Sequence, residues 1–260
     1  SYLDCIDAVE ELKETEASLY AQRFENVQAQ YDGILQGYEH TETMLNEYIS
    51  QAEEQGHIVS TKYYQALINN EKKNINTLKD EQAALIAERD KAVADGKITK
   101  YSEEWYNMCQ EIDGVTEAIE EGTTALIEYD NAIRDIDWQK FDLVQDRMSR
   151  INAEADFLVE LMSNEKLFDD KGKITDRGLA TMGLHTQKYN TYMYQADDLF
   201  KEKTELEAQF AKNPRDGKLE ERLNDVTDRY YDTVLAANAE TEAIKDLVEE
   251  GINLELDALQ

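Results

Sequence analysis

Two of three recurring glycine turns resemble a cation-binding loop. They are Asp95-Gly-Lys-Ile-Thr99, and Gly172-Lys-Ile-Thr175 behind the acidic pair Asp169 and Asp170; the third turn is Gly56-His-Ile-Val59. Asp-Gly-Lys-Ile-Thr matches the middle of a calcium loop, in which oxygen donors at positions one, three, five and twelve surround a glycine at six. With Gly96 at six those positions are Lys91, Val93, Asp95 and Ser102; with Gly172 they are Leu167, Asp169, Lys171 and Gly178. Neither loop supplies enough oxygens, so both read as turns between helices. His40, His57 and His185 are dispersed without ligand-spaced partners, and no Glu-x-x-His pair points to a di-iron bundle. Cys5 and Cys109 make no metal spacing, and Cys109 sits beside an apolar stripe as a small core residue. No disulfide framework is indicated, which favours a reducing compartment. Phosphate loop, nucleophile elbow and dinucleotide fingerprint are all missing from the sequence. We therefore expect no enzyme and no cofactor.

The remaining candidate is a binding surface. Fifteen tyrosines are unusual for this length, and several (Tyr31, Tyr38, Tyr48, Tyr129, Tyr230) fall on helical stripes, where a narrow bundle packs the ring and leaves the hydroxyl at water. Tyr189, Tyr192, Met193 and Tyr194 cover more than one face of a helix, which makes them the candidate partner surface.

The elements that carry these residues are long helices. One stretch, 102–163, contains no proline and dominates the chain. Trp105, Met108, Ile112, Val115, Ile119, Gly122 and onward to Ile136 alternate three and four apart, as a heptad seam does. Beyond Lys140 the stripe restarts one residue out of step as Phe141, Val144, Met148, Ile151, Ala155, Leu158 and Met162. Such a helix is roughly 90 Å long at about 1.5 Å per residue and cannot bury its stripe alone.

A first helix is expected over 2–54, with Phe24, Val27, Tyr31, Ile34, Tyr38, Thr41, Leu45, Tyr48 and Ala52 as its seam and Ile6, Val9, Leu12 and Leu19 spaced more loosely. A second runs to about Ala94, where Glu71, Gln82 and Arg89 interrupt the apolar face and suggest an edge of the core. Ser60 and Ser102 are placed to cap the second and third helices, with Val59–Tyr64 and Tyr101–Tyr106 as hydrophobic staples. The recurring unit is a turn followed by a helix, so each turn lays the next helix antiparallel to the last. The region 164–183 reads as turn, because it holds Gly172, Gly178 and Gly183. A fourth helix starts near Thr175 or Leu184 and ends before Asn213-Pro-Arg-Asp-Gly217, and a fifth runs from Leu219 to near Glu250, broken by Gly251. The fold class is all-α: an elongated antiparallel bundle of about five helices. Two parts follow, 1–140 with N-terminal hairpins sharing the long helix 102–163, and 141–260 with a C-terminal bundle.

With 27 basic and 57 acidic residues the formal charge is −30, which repels DNA, RNA and anionic lipid and argues against direct nucleic-acid binding. No apolar run approaches a membrane span. The chain begins with Ser1 in place of methionine, so we expect a piece of something longer. Partners are expected to be proteins, and the same stripes could pair between copies as a homo-oligomer.

Ile151-Asn-Ala-Glu-Ala-Asp-Phe-Leu, Glu160-Leu-Met-Ser-Asn, Phe168-Asp-Asp-Lys-Gly-Lys-Ile-Thr, Met182-Gly-Leu-His and Tyr189-Asn-x-Tyr192-Met form a series that resembles helical regions of phage tail tape-measure proteins of gut Firmicutes prophages. Asp95-Gly-Lys-Ile-Thr with Glu103-Glu-Trp-Tyr106, and Ala243-Ile-Lys-Asp-Leu-Val248 with Leu254-x-Leu-Asp-Ala-Leu259, resemble the same group. The resemblance implies a structural role: setting tail length, nucleating tail-tube assembly with tube or chaperone partners, and leaving the tube on genome delivery. It implies a location in the host cytoplasm during assembly and then in the virion tail. It carries over no catalytic residue. One departure stands out: a ruler is extended, whereas repeated turns fold the chain back. The alternative reading is a cytoplasmic coiled-coil scaffold or chromosome-organising rod or adaptor.

Overall fold

The computed structural model describes residues 2–259, without the side chains of residues 2–7 and 17. Cys5 and Ile6 therefore lie outside the described side chains. The fold is all-α. Five helices follow one another: α1 (Tyr2–Glu54), α2 (Thr61–Ala94), α3 (Glu103–Ser163), α4 (Asp176–Lys212) and α5 (Gly217–Ala258). Among the described residues the one β-type pairing is an isolated antiparallel bridge between Phe168 and Ile174.

The chain divides into two compact units, Ser1–Gln139 and Lys140–Gln260. In the first unit α1, α2 and the first part of α3 share one core. At one end Phe24 of α1 meets Leu85 and Ala92 of α2, Ile98 of the turn, and Met108 and Ile112 of α3. At the other end Ile49, Val59, Leu67 and Ile136 meet. Rising numbers in α1 thus face falling numbers in α2, which makes each consecutive pair antiparallel. The α2 face lies at the centre of this core and not at its edge. Leu67 and Leu85 are fully buried, and Glu71 and Glu81 are buried with them.

The first two turns are helix C-caps of one design. Gly56 and Gly96 take positive φ of 69° and 66°, which costs a glycine nothing. The following amides then reach back, His57 to the Ala52 carbonyl and Lys97 to the Ala92 carbonyl, both in the six-to-one pattern of a Schellman end. Ser60 accepts from the Lys62 amide and Ser102 from the Trp105 amide, so both serines cap as the spacing predicts. The second turn has two extra residues, and Tyr101 absorbs them at φ 71°. Its ring meets Trp105 edge-on at 5.2 Å, so Trp105 and not Tyr106 is its partner in the staple.

The third turn departs from this pattern. Gly172 (φ 78°) closes a small hairpin in which the Asp169 amide donates to the Lys173 carbonyl at 2.8 Å. Thr175 then caps α4 by accepting from the Gly178 amide at 3.2 Å. The turn is therefore shorter than 164–183, and Gly178 and Gly183 are helical. Gly178 is needed for close approach: a Cβ there would stand 2.4 Å from the Leu167 carbonyl oxygen. Gly251 likewise does not break α5. It is buried, and a Cβ would stand 2.7 Å from Cε1 of Phe168. The glycine lets the Phe168 ring lie on the helix, and α5 continues to Ala258.

In the second unit, α3 from Lys140 onward packs with α4 and α5. The seam here is not the apolar one. Gln145 and Asn152 are each 2% exposed, while Val144, Ile151 and Leu158 remain 45%, 43% and 41% exposed. The stripe turned inward is Gln145, Asn152 and Ala155, which are buried, with Phe141, Met148, Val159 and Met162, which are half-buried; it is shifted by one residue at alternate positions. Helix α1 shows the same shift, with Ile49 buried while Ile34 and Tyr48 are exposed. The shared positions of each stripe are set by heptad spacing, but the flank that turns inward is set by the residues opposite. In the second unit those residues are polar.

Candidate functional site

The most concentrated polar chemistry among the described residues is inside the second unit. It has two parts, each built from helix-borne side chains seven residues apart. Gln145 and Asn152 of α3 face Lys188 and Gln195 of α4, so the polar positions recur at one heptad on both helices. The Asn152 amide donates to the Gln195 Oε1 at 3.3 Å. Gln195 Nε2 donates in turn to the Gln145 backbone carbonyl at 3.1 Å and to Ser149 Oγ at 3.2 Å. The side-chain amide of Gln145 and Oδ1 of Asn152 are buried and make no hydrogen bond to another protein group.

One turn further along, the Lys188 ammonium sits between two carboxylates, Asp156 of α3 at 2.5 Å and Glu240 of α5. The other oxygen of Glu240 meets His185 Nδ1 at 2.6 Å. Lys188 and Glu240 side chains are 7% and 9% exposed, so this is a buried ion pair between α4 and α5, which the exposed Asp156 extends to α3. Burial alone would lower the Lys188 pKa, but hydrogen bonds and charge from Asp156 and Glu240 outweigh it and hold the amine above its usual value. A lysine held cationic is neither a nucleophile nor a general base near neutral pH. Its chemistry here is that of a tie between helices.

A second tie lies near the start of this unit. Asp142 of α3 accepts from Arg222 at 2.9 Å and from Arg229 at 2.7 Å, both on α5. Burial pushes the Asp142 carboxyl up, but the two guanidinium groups win and hold it below the usual range. Arg222 also lies over the Phe141 ring, 5.6 Å from its centroid.

The first unit handles buried charge differently. Glu71 is 5% exposed and is approached by the Asn74 amide at 3.2 Å, with no cation paired to it among the described residues. Desolvation, against the Asn74 hydrogen bond and with Glu42 adding repulsion, raises its pKa. Glu81 is raised mainly by desolvation, with Asp32 adding to it. The Tyr129 hydroxyl of α3 donates to Glu42 of α1 at 2.7 Å. Glu71, Glu42 and Asp32 line a cavity of about 320 Å³ with Asn70 and Ala118.

Helix α4 divides the four residues of the predicted partner surface. Tyr189 and Tyr192 are half-buried beside Ala196 and Leu199, and burial raises the Tyr192 pKa. Met193 and Tyr194 are 45% and 71% exposed. Tyr194 lines a shallow groove of about 460 Å³ with Met148, Gln187 and Asn190. Of the histidines, His40 and His57 are exposed and only His185 joins the network. Asp169 in the third turn accepts from the Lys171 and Lys173 amides, and these backbone hydrogen bonds hold its carboxyl below the usual range. Among the described residues no group of three or more His, Cys, Asp or Glu is placed to hold a metal ion, and no helix is long and apolar enough to cross a membrane. Cys109 is a free, half-buried thiol that accepts from Arg89 at 3.5 Å.

Reading for apolar stripes passes over Lys188, Gln195, Gln145, Asn152 and Glu240. The signal that marks the first four is a polar residue repeated at seven on each of two neighbouring helices; nothing in the α5 sequence singles out Glu240. No protein-family model matches the chain, and no curated protein or solved structure matches it significantly.

Proposed function

We propose that this chain is a structural, non-enzymatic helical segment, and specifically a stretch of a phage tail tape-measure protein. The observation that supports a structural role is how the paired ionisable groups of the second unit are used. Lys188, Glu240, Asp142 and Arg229 each pair helix to helix, and the pairing holds the amine charged and the carboxyl ionised. Groups poised for proton transfer have the opposite character, with pKa values drawn towards the working pH. The resemblance of the strings from Ile151 to Tyr192 supports the ruler in particular. The charge of −30 suits passage ahead of DNA, which an acidic surface does not bind. Tail-tube and chaperone proteins are the partners this role implies.

The test is to duplicate the coding segment for residues 1–260 in frame within its own gene and to image the particles by electron microscopy. A ruler lengthens the tail in proportion to the added residues. Tails of unchanged length, or a gene whose flanks encode nucleotide-binding halves and no tail proteins, overturn the reading.

A further inference from the structure

Helix α3 carries two overlapping seams in the second unit, and only one of them is in use. Both contain Phe141, Met148, Ala155 and Met162. The seam in use completes itself with Gln145, Asn152 and Val159, and the idle one with Val144, Ile151 and Leu158. Moving from one to the other exchanges three of seven positions by one residue each, a rotation of α3 about its own axis of about 40° at 100° per residue. The seam in use leaves the Gln145 side-chain amide and Asn152 Oδ1 buried without a hydrogen-bond partner in the protein, a less favourable setting for polar groups than a fully paired one. The idle seam is wholly apolar, and its three residues stand more than two-fifths exposed. Opposing the rotation are the ties on the other flank: Asp142 to Arg222 and Arg229, Ser149 and Asn152 to Gln195, and Asp156 to Lys188.

We propose that α3 of the second unit is a two-register helix, which exchanges the observed polar seam for the apolar one by this rotation while α4 and α5 remain its packing partners. Each register satisfies what the other leaves unsatisfied. The observed one satisfies the charge pairs and half the amides, and the rotated one buries Val144 and Ile151. Packed helices move between discrete arrangements of this kind, because interdigitated side chains do not deform continuously. The device does not depend on the structural role proposed above.

The exchange is read by thiol labelling of the full chain. Asn152→Cys is made in a Cys5→Ser, Cys109→Ser background, so the reporter is the sole thiol. With two registers, the thiol introduced by Asn152→Cys labels in water at least tenfold faster than global unfolding permits, and the rate is nearly independent of urea. Val144→Asp with Ile151→Asp forbids the rotated register, since neither carboxylate can be buried there, yet leaves the observed one intact because both sites are exposed. In that variant labelling falls to the rate of global unfolding. Circular dichroism confirms that each variant folds, and Gln145→Cys serves as reporter if Asn152→Cys does not. Labelling that tracks global unfolding throughout overturns the proposal. A fast component that Val144→Asp with Ile151→Asp leaves unchanged overturns it equally, as it reports fraying and not rotation.

Discussion

Gly172 lies against the backbone of Glu255: a Cβ on the glycine would stand 2.4 Å from the Glu255 amide nitrogen. This contact explains why the third turn differs from the first two. Gly56 and Gly96 need their left-handed φ only, since nothing lies within 4 Å of a Cβ at either. Gly172 needs both the φ and the empty space. We expect Gly56→Ala and Gly96→Ala to cost about 1–2 kcal/mol each. Gly172→Ala should cost more than either, because the neighbouring atoms are backbone and cannot turn aside. Urea denaturation followed by circular dichroism ranks the three.

Glu71 contributes stability to the first unit at low pH that is lost as the pH rises. Its folded pKa is raised, mainly by desolvation, so the folded state holds the proton more tightly than the unfolded chain. Stability is then greatest at low pH and falls as pH rises from the unfolded value through the folded one. Glu71→Gln should raise the unfolding midpoint at pH 7 and leave it nearly unchanged near pH 4. Both tryptophans, Trp105 and Trp138, belong to this unit, so fluorescence follows it selectively.

Gly122 is coupled to the same carboxylate. A Cβ there would stand 2.2 Å from Glu71 Oε1 and 3.0 Å from Ile75 Cγ1. Gly122→Ala should destabilise the native protein despite the gain of about 1 kcal/mol that alanine brings to a helix. In a Glu71→Ala background the obstruction from the carboxylate is gone, and the substitution should become neutral or favourable. A double-mutant cycle from denaturant midpoints measures this; equal effects in both backgrounds would remove Glu71 as the cause.

The second unit should respond to acid in the opposite sense. The Asp142 carboxyl is held low by Arg222 and Arg229 after burial is overcome, so its contribution is complete above the unfolded value and lost as pH falls through the folded one. Asp142→Asn should lower stability by roughly 1–3 kcal/mol at pH 7. The difference from the native protein should shrink below about pH 3. An acid titration followed by circular dichroism, alongside tryptophan fluorescence, separates this response from that of the first unit.

The helices, their antiparallel order and the serine caps are legible in the sequence because they rest on local rules. Heptad spacing, Ser60 and Ser102 before apolar runs, and glycines at helix ends are each decided within a few residues. Where the reading missed, a distant residue decided. Gly178 and Gly251 look like helix breakers until Leu167 and Phe168 are seen lying on them. Val144 and Ile151 look like core until Gln195 and Lys188 arrive opposite Asn152 and Asp156. Tyr189 and Tyr192 look like part of a surface, yet the α4 stripe that buries Leu199 half-buries them as well. Polarity in a core is a property of two helices together, and one helix read alone assigns its apolar residues to the inside.

The buried charges of the second unit hold its helices together, and the Lys188–Glu240 pair is where that is measured. Stability is measured for Lys188→Met, Glu240→Leu and the double variant by urea denaturation. Glu240→Leu leaves Lys188 only Asp156, and Lys188→Met leaves Glu240 only His185, so each single change weakens the pairing of a buried charge and should cost roughly 1–3 kcal/mol. The double variant removes both charges and should recover most of that loss. Additive losses in the double variant, or single changes that leave stability untouched, would show that the pair does not tie α4 to α5.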